Sequence, residues 1–380
     1  MKMFDVYALN DIAIVRAEGS WVYDDKGQKY LDMYGGHAVI SIGHTNPVYV
    51  KAITDQINKI GFYSNSVVIP IQKTLAEKFG KLSGLEDYQL FICNSGAEAN
   101  ENAMKLASFH TDRPLIIAFS GSFHGRTSLA VAATDEPWIV APVNRTANVV
   151  FSPFNDSAAL EKLFKEIGDR VAGVIVESIQ GVSGINVATT EFLRTIRRLC
   201  TEHGAMFIAD EVQCGCGRSG KYYTLDHAGV RADIYSMAKG IGNGFPVGAI
   251  AISPAIAPKI GMLGTTFGGN QLECAAMLAV AETMTREKLV DNAAEVGGYL
   301  LAELRKIKGI TEVRGKGLMI GIELPFDTAP LRKKLLFEEK VFVGSSGKRV
   351  IRLLPALNLT REHADIFLVA FKKLLTEFSA

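Results

Sequence analysis

Neither sign of charge dominates this chain of 380 residues: 41 Lys and Arg stand against 40 Asp and Glu, a net charge of +1. That balance excludes a basic face for nucleic acid and an acidic disordered tail, so partners must be sought in sites. Long apolar runs are missing too. The longest uncharged stretch, residues 240–258, holds Pro246, Pro254, Pro258 and four glycines, which a lipid-facing helix does not carry unaided. Cysteine is scarce, and five residues without framework spacing fit a reducing compartment. Cys214-Gly-Cys216 has no second Cys or His pair at ligand spacing, so no metal site is expected. Residues 1–16 show neither a secretory apolar region nor an acid-free transit pattern, and a cytoplasmic location is expected. Internal repeats and low-complexity tracts are absent from the sequence.

Short apolar runs are what the chain does have. Those at 90–93, 115–119, 149–151, 171–176, 206–209, 234–236 and 249–252 lack polar alternation, as strands of a mainly parallel sheet covered on both faces do. Between them, 98–110, 158–167 and 191–202 carry apolar residues at helical spacing, so the pattern is α/β. Ahead of this block, alternation around the turn Asp24-Asp25-Lys26-Gly27 predicts a small meander, and 47–60 reads as a helix. Behind it come helices over 271–286 and 291–307, strands over 310–314, 318–324 and 350–353, and a closing helix over 361–378. The length suits a large domain with a smaller satellite.

Lys239 stands between an apolar run and the glycine-dense Gly240-Ile-Gly242-Asn-Gly244. In surroundings of low dielectric a lysine loses its proton readily, and the neutral amine adds to carbonyls to form a Schiff base. A solvated lysine or a phosphate contact fits the same stretch. Asn94-Ser95-Gly96-Ala97-Glu98 follows a strand and opens a helix, where bare N–H groups favour an anion; Ser95 as an ordinary cap is the alternative. Asp210 and Glu211 close a buried strand at the edge where open α/β sheets bind ligands. A carboxylate there suits a protonated ring nitrogen, or caps the following turn. Arg352 is a charge inside the apolar Val350-Ile-Arg-Leu-Leu, and Arg126 follows Phe123; guanidinium forks suit carboxylates, although an edge-strand residue and a surface ion pair are equally ordinary. Nucleotide loops do not fit: the first glycine cluster lacks dinucleotide spacing, and Gly121-Ser-Phe-His-Gly125-Arg126-Thr is one residue short of a phosphate loop, with Arg in the lysine position.

Ser95-Gly-Ala-Glu-Ala99, Phe123-His-Gly-Arg126, Glu177-Ser-Ile-Gln-Gly181, Asp210-Glu-Val-Gln-Cys-Gly-Cys-Gly-Arg218, Ala238-Lys-Gly240, Gly264-Thr-Thr-Phe-Gly-Gly-Asn270 and Arg352-Leu-Leu-Pro-Ala-Leu357 appear in that order. With them the chain resembles, nearly end to end, the class III (ω-amino acid) aminotransferases dependent on pyridoxal 5'-phosphate, and among these the branch acting on N-acylornithines. The resemblance implies fold type I. It places a mainly parallel seven-stranded sheet in a large domain over 47–286, with a small α+β domain from residues 1–46 and 287–380. It implies that Lys239 bonds the cofactor aldehyde and shuttles a proton, that Asp210 pairs with the ring nitrogen, and that Gln213 meets the phenolic oxygen. Phe123 and Val212 would flank the ring; Ser95, Gly96, Ala97 and Thr266 of a second subunit would hold the phosphate. Arg352, Arg126, Thr265 and Trp21 would meet substrate, namely glutamate or 2-oxoglutarate and an N-acylornithine, in a homodimer with shared sites. No nucleic acid or membrane is implied as a partner. Two positions depart from the pattern: Val182 stands where such enzymes usually carry a Glu that screens Arg352, and Trp21 stands where ornithine aminotransferases carry Tyr. Another ω-amino acid aminotransferase, for 4-aminobutyrate, ornithine or a diamine, and a catalytically silent cofactor-binding protein are the alternatives.

Overall fold

Seven strands form the centre of the computed structural model, which describes residues 1–379. They are β1 (Gln89–Cys93), β2 (Leu115–Phe119), β3 (Val149–Ser152), β4 (Val171–Val176), β5 (Met206–Asp210), β6 (Ile234–Ala238) and β7 (Gly248–Ile252). Their order across the sheet is β1-β7-β6-β5-β4-β2-β3. β7 runs antiparallel to both neighbours and every other pairing is parallel. β2 and β4 are buried at every position, which is why they read as unbroken apolar runs.

Helices Gly96–Thr111, Ser157–Ile167 and Thr190–His203 pack against this sheet. The last begins where Thr189 Oγ1 accepts the Phe192 N–H at 3.1 Å and ends on Gly204 in the left-handed region, the residue type that tolerates it. Phe119 and Phe192 meet edge to face at 5.0 Å, both fully buried, and burying each side chain stabilises the core by about 1.5–3 kcal/mol. Two helices of more than two turns are not expected from the sequence: Pro70–Ser83 and Ala329–Phe337. Each opens on a proline in its first turn and docks through a few large residues, Leu75 and Phe79 in one, Leu331 and Leu335 in the other.

The smaller part joins the two chain ends. Strands Ile14–Glu18, Trp21–Asp24 and Lys29–Asp32 form the expected meander, and Val341–Phe342 adds to it in parallel, Val341 opposite Leu31. A second antiparallel sheet orders Glu312–Lys316, Met319–Glu323, Val350–Leu353 and Gly344–Ser346. Arg352 therefore lies on an inner strand, not an edge. All five cysteines are unpaired and buried. Among the described residues no helix is long and apolar enough to cross a membrane, and no group of His, Cys, Asp and Glu could hold a metal ion.

Candidate active site

The chain leaves β1, β2, β4, β5 and β6 at the same edge of the sheet, the C-terminal edge where α/β folds gather their ligands. Segments following these strands surround a cavity of about 260 Å³. Gly96, Ala97, Phe123, Arg126, Asp210, Val212, Gln213 and Lys239 line it, as does Val182, the position that departs from the family pattern; Asn100, His124, Gly125 and Glu177 join them without a role expected from the sequence.

Lys239 follows the last residue of β6 and takes φ of +52°, a left-handed backbone that a non-glycine residue adopts at a cost. Withdrawal from water lowers its pKa, and the charge of Arg352 adds to this against the opposing Asp210 and Glu177. Its amine is thus nearer to neutral than an ordinary lysine at pH 7. Asp210, the last residue of β5, is 3% exposed. Its Oδ2 accepts from Asn100 Nδ2 and pairs with His124 Nδ1, both at 2.7 Å, while Oδ1 accepts the Val212 N–H at 3.0 Å. The other face of the imidazole, His124 Nε2, is buried without a partner. Ser236 Oγ donates to Asn100 Oδ1, so β6 holds the amide that holds the acid of β5. The result is a carboxyl group fixed in orientation inside the protein by Asn100, His124 and the Val212 N–H.

At the start of the Gly96–Thr111 helix the structure shows the cap. Ser95 Oγ is used as the cap, accepting the Glu98 N–H at 3.1 Å, and its side chain does not reach the cavity. Gly96 and Ala97 do reach it. A Cβ on Gly96 would come within 2.6 Å of Val212 Cγ1, so the absence of a side chain lets the helix start approach the residue after Glu211. Glu177, buried just past β4, accepts the Phe123 N–H at 2.9 Å and the Gly181 N–H at 3.0 Å. It ties the aromatic wall to the Val182 wall, and burial followed by the nearby Asp210 raises its pKa. Gln213 Oε1 is buried without a partner.

Arg352 is 6% exposed and stands behind this wall. Its Nη1 donates to the Gly181 carbonyl at 2.8 Å and its Nη2 to the Tyr34 hydroxyl at 2.9 Å, leaving Nε buried and unpartnered. Arg126 is exposed on the cavity rim, its guanidinium 6.0 Å from the Phe123 ring centre. Besides Ser95 and Arg352, three expected site residues lie off the cavity of the single chain. Thr265 Oγ1 accepts from Asn94 Nδ2 at 3.0 Å and from the Gly268 N–H at 3.2 Å, bracing a loop against the end of β1. Thr266 is exposed on that loop. Trp21 sits in the meander, its Nε1 donating to His363 Nε2 at 3.1 Å with the two rings edge to face.

A lysine of lowered pKa, a buried acid, a helix start with free N–H groups and a flat aromatic side chain together suit a planar anionic ligand. Such a ligand would carry a carbonyl near Lys239 and a basic ring atom near Asp210. The profile of the family described as "Aminotransferase class-III" matches residues 5–375. A protein of Nitrosomonas europaea named acetylornithine aminotransferase is 37% identical, covering 99% of this chain and 98% of its own. The crystal structure of acetylornithine aminotransferase from Elizabethkingia anophelis superimposes with a TM-score of 0.86 at 30% identity, covering 98% of this chain and 95% of its own. That of ornithine aminotransferase from Toxoplasma gondii gives 0.91 at 27% identity, over 98% and 92%.

Proposed function

The chain belongs to the class III aminotransferases, and from that premise we propose that it exchanges an amino group between an N-acylornithine, first of all N-acetylornithine, and 2-oxoglutarate. It is a pyridoxal-phosphate-dependent aminotransferase acting on amino-acid substrates. The observation that carries the substrate reading is a pair of arginines without a carboxylate partner among the described residues: Arg126, exposed on the cavity rim, and Arg352, buried outside the cavity lining and held by the Gly181 carbonyl next to Val182. Substrates carrying carboxylates at measured spacings from the reacting amine answer that arrangement.

Pyridoxal phosphate fits the donor set: Gly96 and Ala97 N–H groups for its phosphate, Asp210 for its ring nitrogen, Gln213 for its phenolic oxygen, and Phe123 and Val212 for its two faces. When bound it supplies an exchangeable carbonyl and an electron-withdrawing ring. The remaining work falls to this chain. Lys239 Nζ, made less basic by burial, is the nucleophile toward that carbonyl and afterwards takes and returns the proton of the substrate carbon that bears the nitrogen. Asp210 presents its carboxyl group at a fixed point because Asn100 and His124 hold one oxygen and the Val212 N–H the other. Arg352 takes the α-carboxylate of glutamate. Arg126 takes its side-chain carboxylate or, in the other half-reaction, the carboxylate of the N-acylornithine. The two half-reactions share one site, so one product leaves before the second substrate enters.

The partner in this reading is a second copy of the chain. Exposed Phe62 and Phe267 lie 5.5 Å apart, with exposed Tyr63, Val67 and Val68 on the Phe62 segment, and Thr266 is next to Phe267. Covering this apolar ground with another subunit would carry Thr266 to the neighbour's phosphate site. Five buried, unpaired thiols support a cytoplasmic place.

A half-reaction screen tests the substrate. The cofactor-loaded protein is mixed with N-acetylornithine, N-succinylornithine, ornithine or 4-aminobutyrate, and loss of the cofactor's visible absorption is followed. An N-acylornithine is expected to react fastest; faster reaction with 4-aminobutyrate overturns the proposal. Faster reaction with free ornithine would instead favour the second reading, to which the fold match with an ornithine aminotransferase lends support.

A further inference from the structure

Arg352 has an unusual set of partners for a buried guanidinium. Among the described residues no carboxylate pairs with it; it is held by a backbone carbonyl and a phenol, both neutral. Tyr34 supplies that phenol, and its hydroxyl also lies 2.7 Å from His37 Nδ1. The polarity of these bonds follows from the groups. A guanidinium only donates, so the phenolic oxygen accepts from Nη2, which leaves its single proton for His37 Nδ1 when the imidazole presents a lone pair there. A neutral His37 with its proton on Nε2 offers that lone pair. Its pKa moves the same way, lowered by partial withdrawal from water and by the charges of Arg352 and Lys239.

The backbone that presents His37 is as unusual as the contact. Gly35, Gly36, His37 and Ala38 all have φ between +55° and +67°, a left-handed turn in which two residues bear a Cβ. Such a turn costs roughly 1–2 kcal/mol for each non-glycine residue, and outliers of this kind persist where surrounding structure enforces them. Asp32 Oδ1 enforces it here by accepting the Tyr34 and Gly35 N–H groups at 2.9 and 2.8 Å, and the Gly35 carbonyl accepts from Val39 and Ile40. An ordinary right-handed turn would aim the imidazole elsewhere.

The geometry points to Tyr34 and His37 as positioning residues that set how Arg352 receives a substrate carboxylate. Neutral His37 accepts the hydrogen bond of the Tyr34 hydroxyl, and the phenolic oxygen, left only to accept, holds the guanidinium fork in place without neutralising it. Arg352 thus keeps its full charge and its unpartnered Nε for an incoming carboxylate. In the half-reaction that brings none to this end, the phenol and the Gly181 carbonyl keep two of its donors satisfied. This rests on the aminotransferase reading above and adds to it the residues that prepare one of its two carboxylate sites. Neither residue is singled out by the sequence.

The test compares half-reactions in the cofactor-loaded enzyme. Tyr34→Phe is expected to raise the KM for glutamate roughly 10- to 100-fold, the worth of a hydrogen bond to a charged group, while the KM for N-acetylornithine moves less than about threefold. His37→Asn places an amide oxygen where Nδ1 stands and tolerates the left-handed backbone, so it is expected to stay near the wild-type KM for glutamate; His37→Leu is expected to follow Tyr34→Phe. Calorimetric titration with glutarate, which binds without reacting, should weaken in the same order. Equal rises in both KM values, or an unchanged KM for glutamate in Tyr34→Phe and His37→Leu, would overturn the proposal and leave the aminotransferase reading standing. Failure of the wild-type enzyme to react with glutamate at all would instead defeat that reading.

Discussion

Asp210→Asn removes one charge and almost no volume, and its two consequences differ in size. Both oxygens of the native carboxylate are occupied, Oδ2 by Asn100 and His124 at 2.7 Å each and Oδ1 by the Val212 N–H at 3.0 Å. An amide must turn its NH2 toward one of these donors, so a buried hydrogen bond is lost and stability falls by about 1–3 kcal/mol. The fold tolerates that loss. The functional loss is larger. A carboxylate and a protonated ring nitrogen about 3 Å apart, in an effective dielectric near 20, attract by about 5 kcal/mol. With a factor of ten for each 1.36 kcal/mol, removing the charge should slow the glutamate half-reaction roughly 5,000-fold and loosen cofactor retention. Stopped-flow absorbance at saturating cofactor measures the rate, and near-ultraviolet circular dichroism reports the fold. A variant that keeps its fold and more than about a tenth of the wild-type rate would refute the reasoning.

Two further outcomes are expected. Phe267→Asp puts a charge beside the exposed Phe62 ring, and the protein should shift from dimer to monomer in sedimentation with activity falling in parallel; a fully active monomer contradicts the shared site. Glu273 is fully buried, its Oε2 accepting the Gly269 N–H at 2.6 Å and its Oε1 unpartnered, and burial pushes its carboxyl from 4.5 up to about 8. The folded state therefore holds this proton to higher pH than the unfolded chain. The stability it contributes is full below about 4.5 and is lost as pH rises through about 8. Glu273→Gln, neutral throughout, should lose less thermal stability than wild type across that window; parallel curves for the two proteins would mean that Glu273 is ionised.

The central strands are legible in the sequence because burial on both faces leaves unbroken apolar runs: 115–119 and 171–176 coincide with β2 and β4. Helix Pro70–Ser83 is hidden because Ile69, at its N-cap, makes no side-chain cap, and its starting proline reads as a break. Among site residues, those next to a strand end are legible, since the chemistry of Lys239 and Asp210 is anomalous where an apolar run stops. Asn100 and His124 are not. They meet Asp210 from 110 and 86 positions away, and on their own each is an ordinary residue of a helix or a loop. Arg352 stands out as a charge in an apolar strand, but its burial and its neutral partners depend on Tyr34, 318 positions distant, and on the Gly181 carbonyl. The left-handed turn at His37 leaves a trace in Gly35-Gly36, although nothing local tells which side chain it will aim at Arg352.

Borohydride reduction of the cofactor-loaded protein, followed by peptide mapping, tests most directly whether Lys239 is the amine around which this site is built. The account predicts a single modified peptide with the adduct on Lys239, and none after Lys239→Ala in a protein that still folds. An adduct on a different lysine, or undiminished turnover in Lys239→Ala, would contradict it.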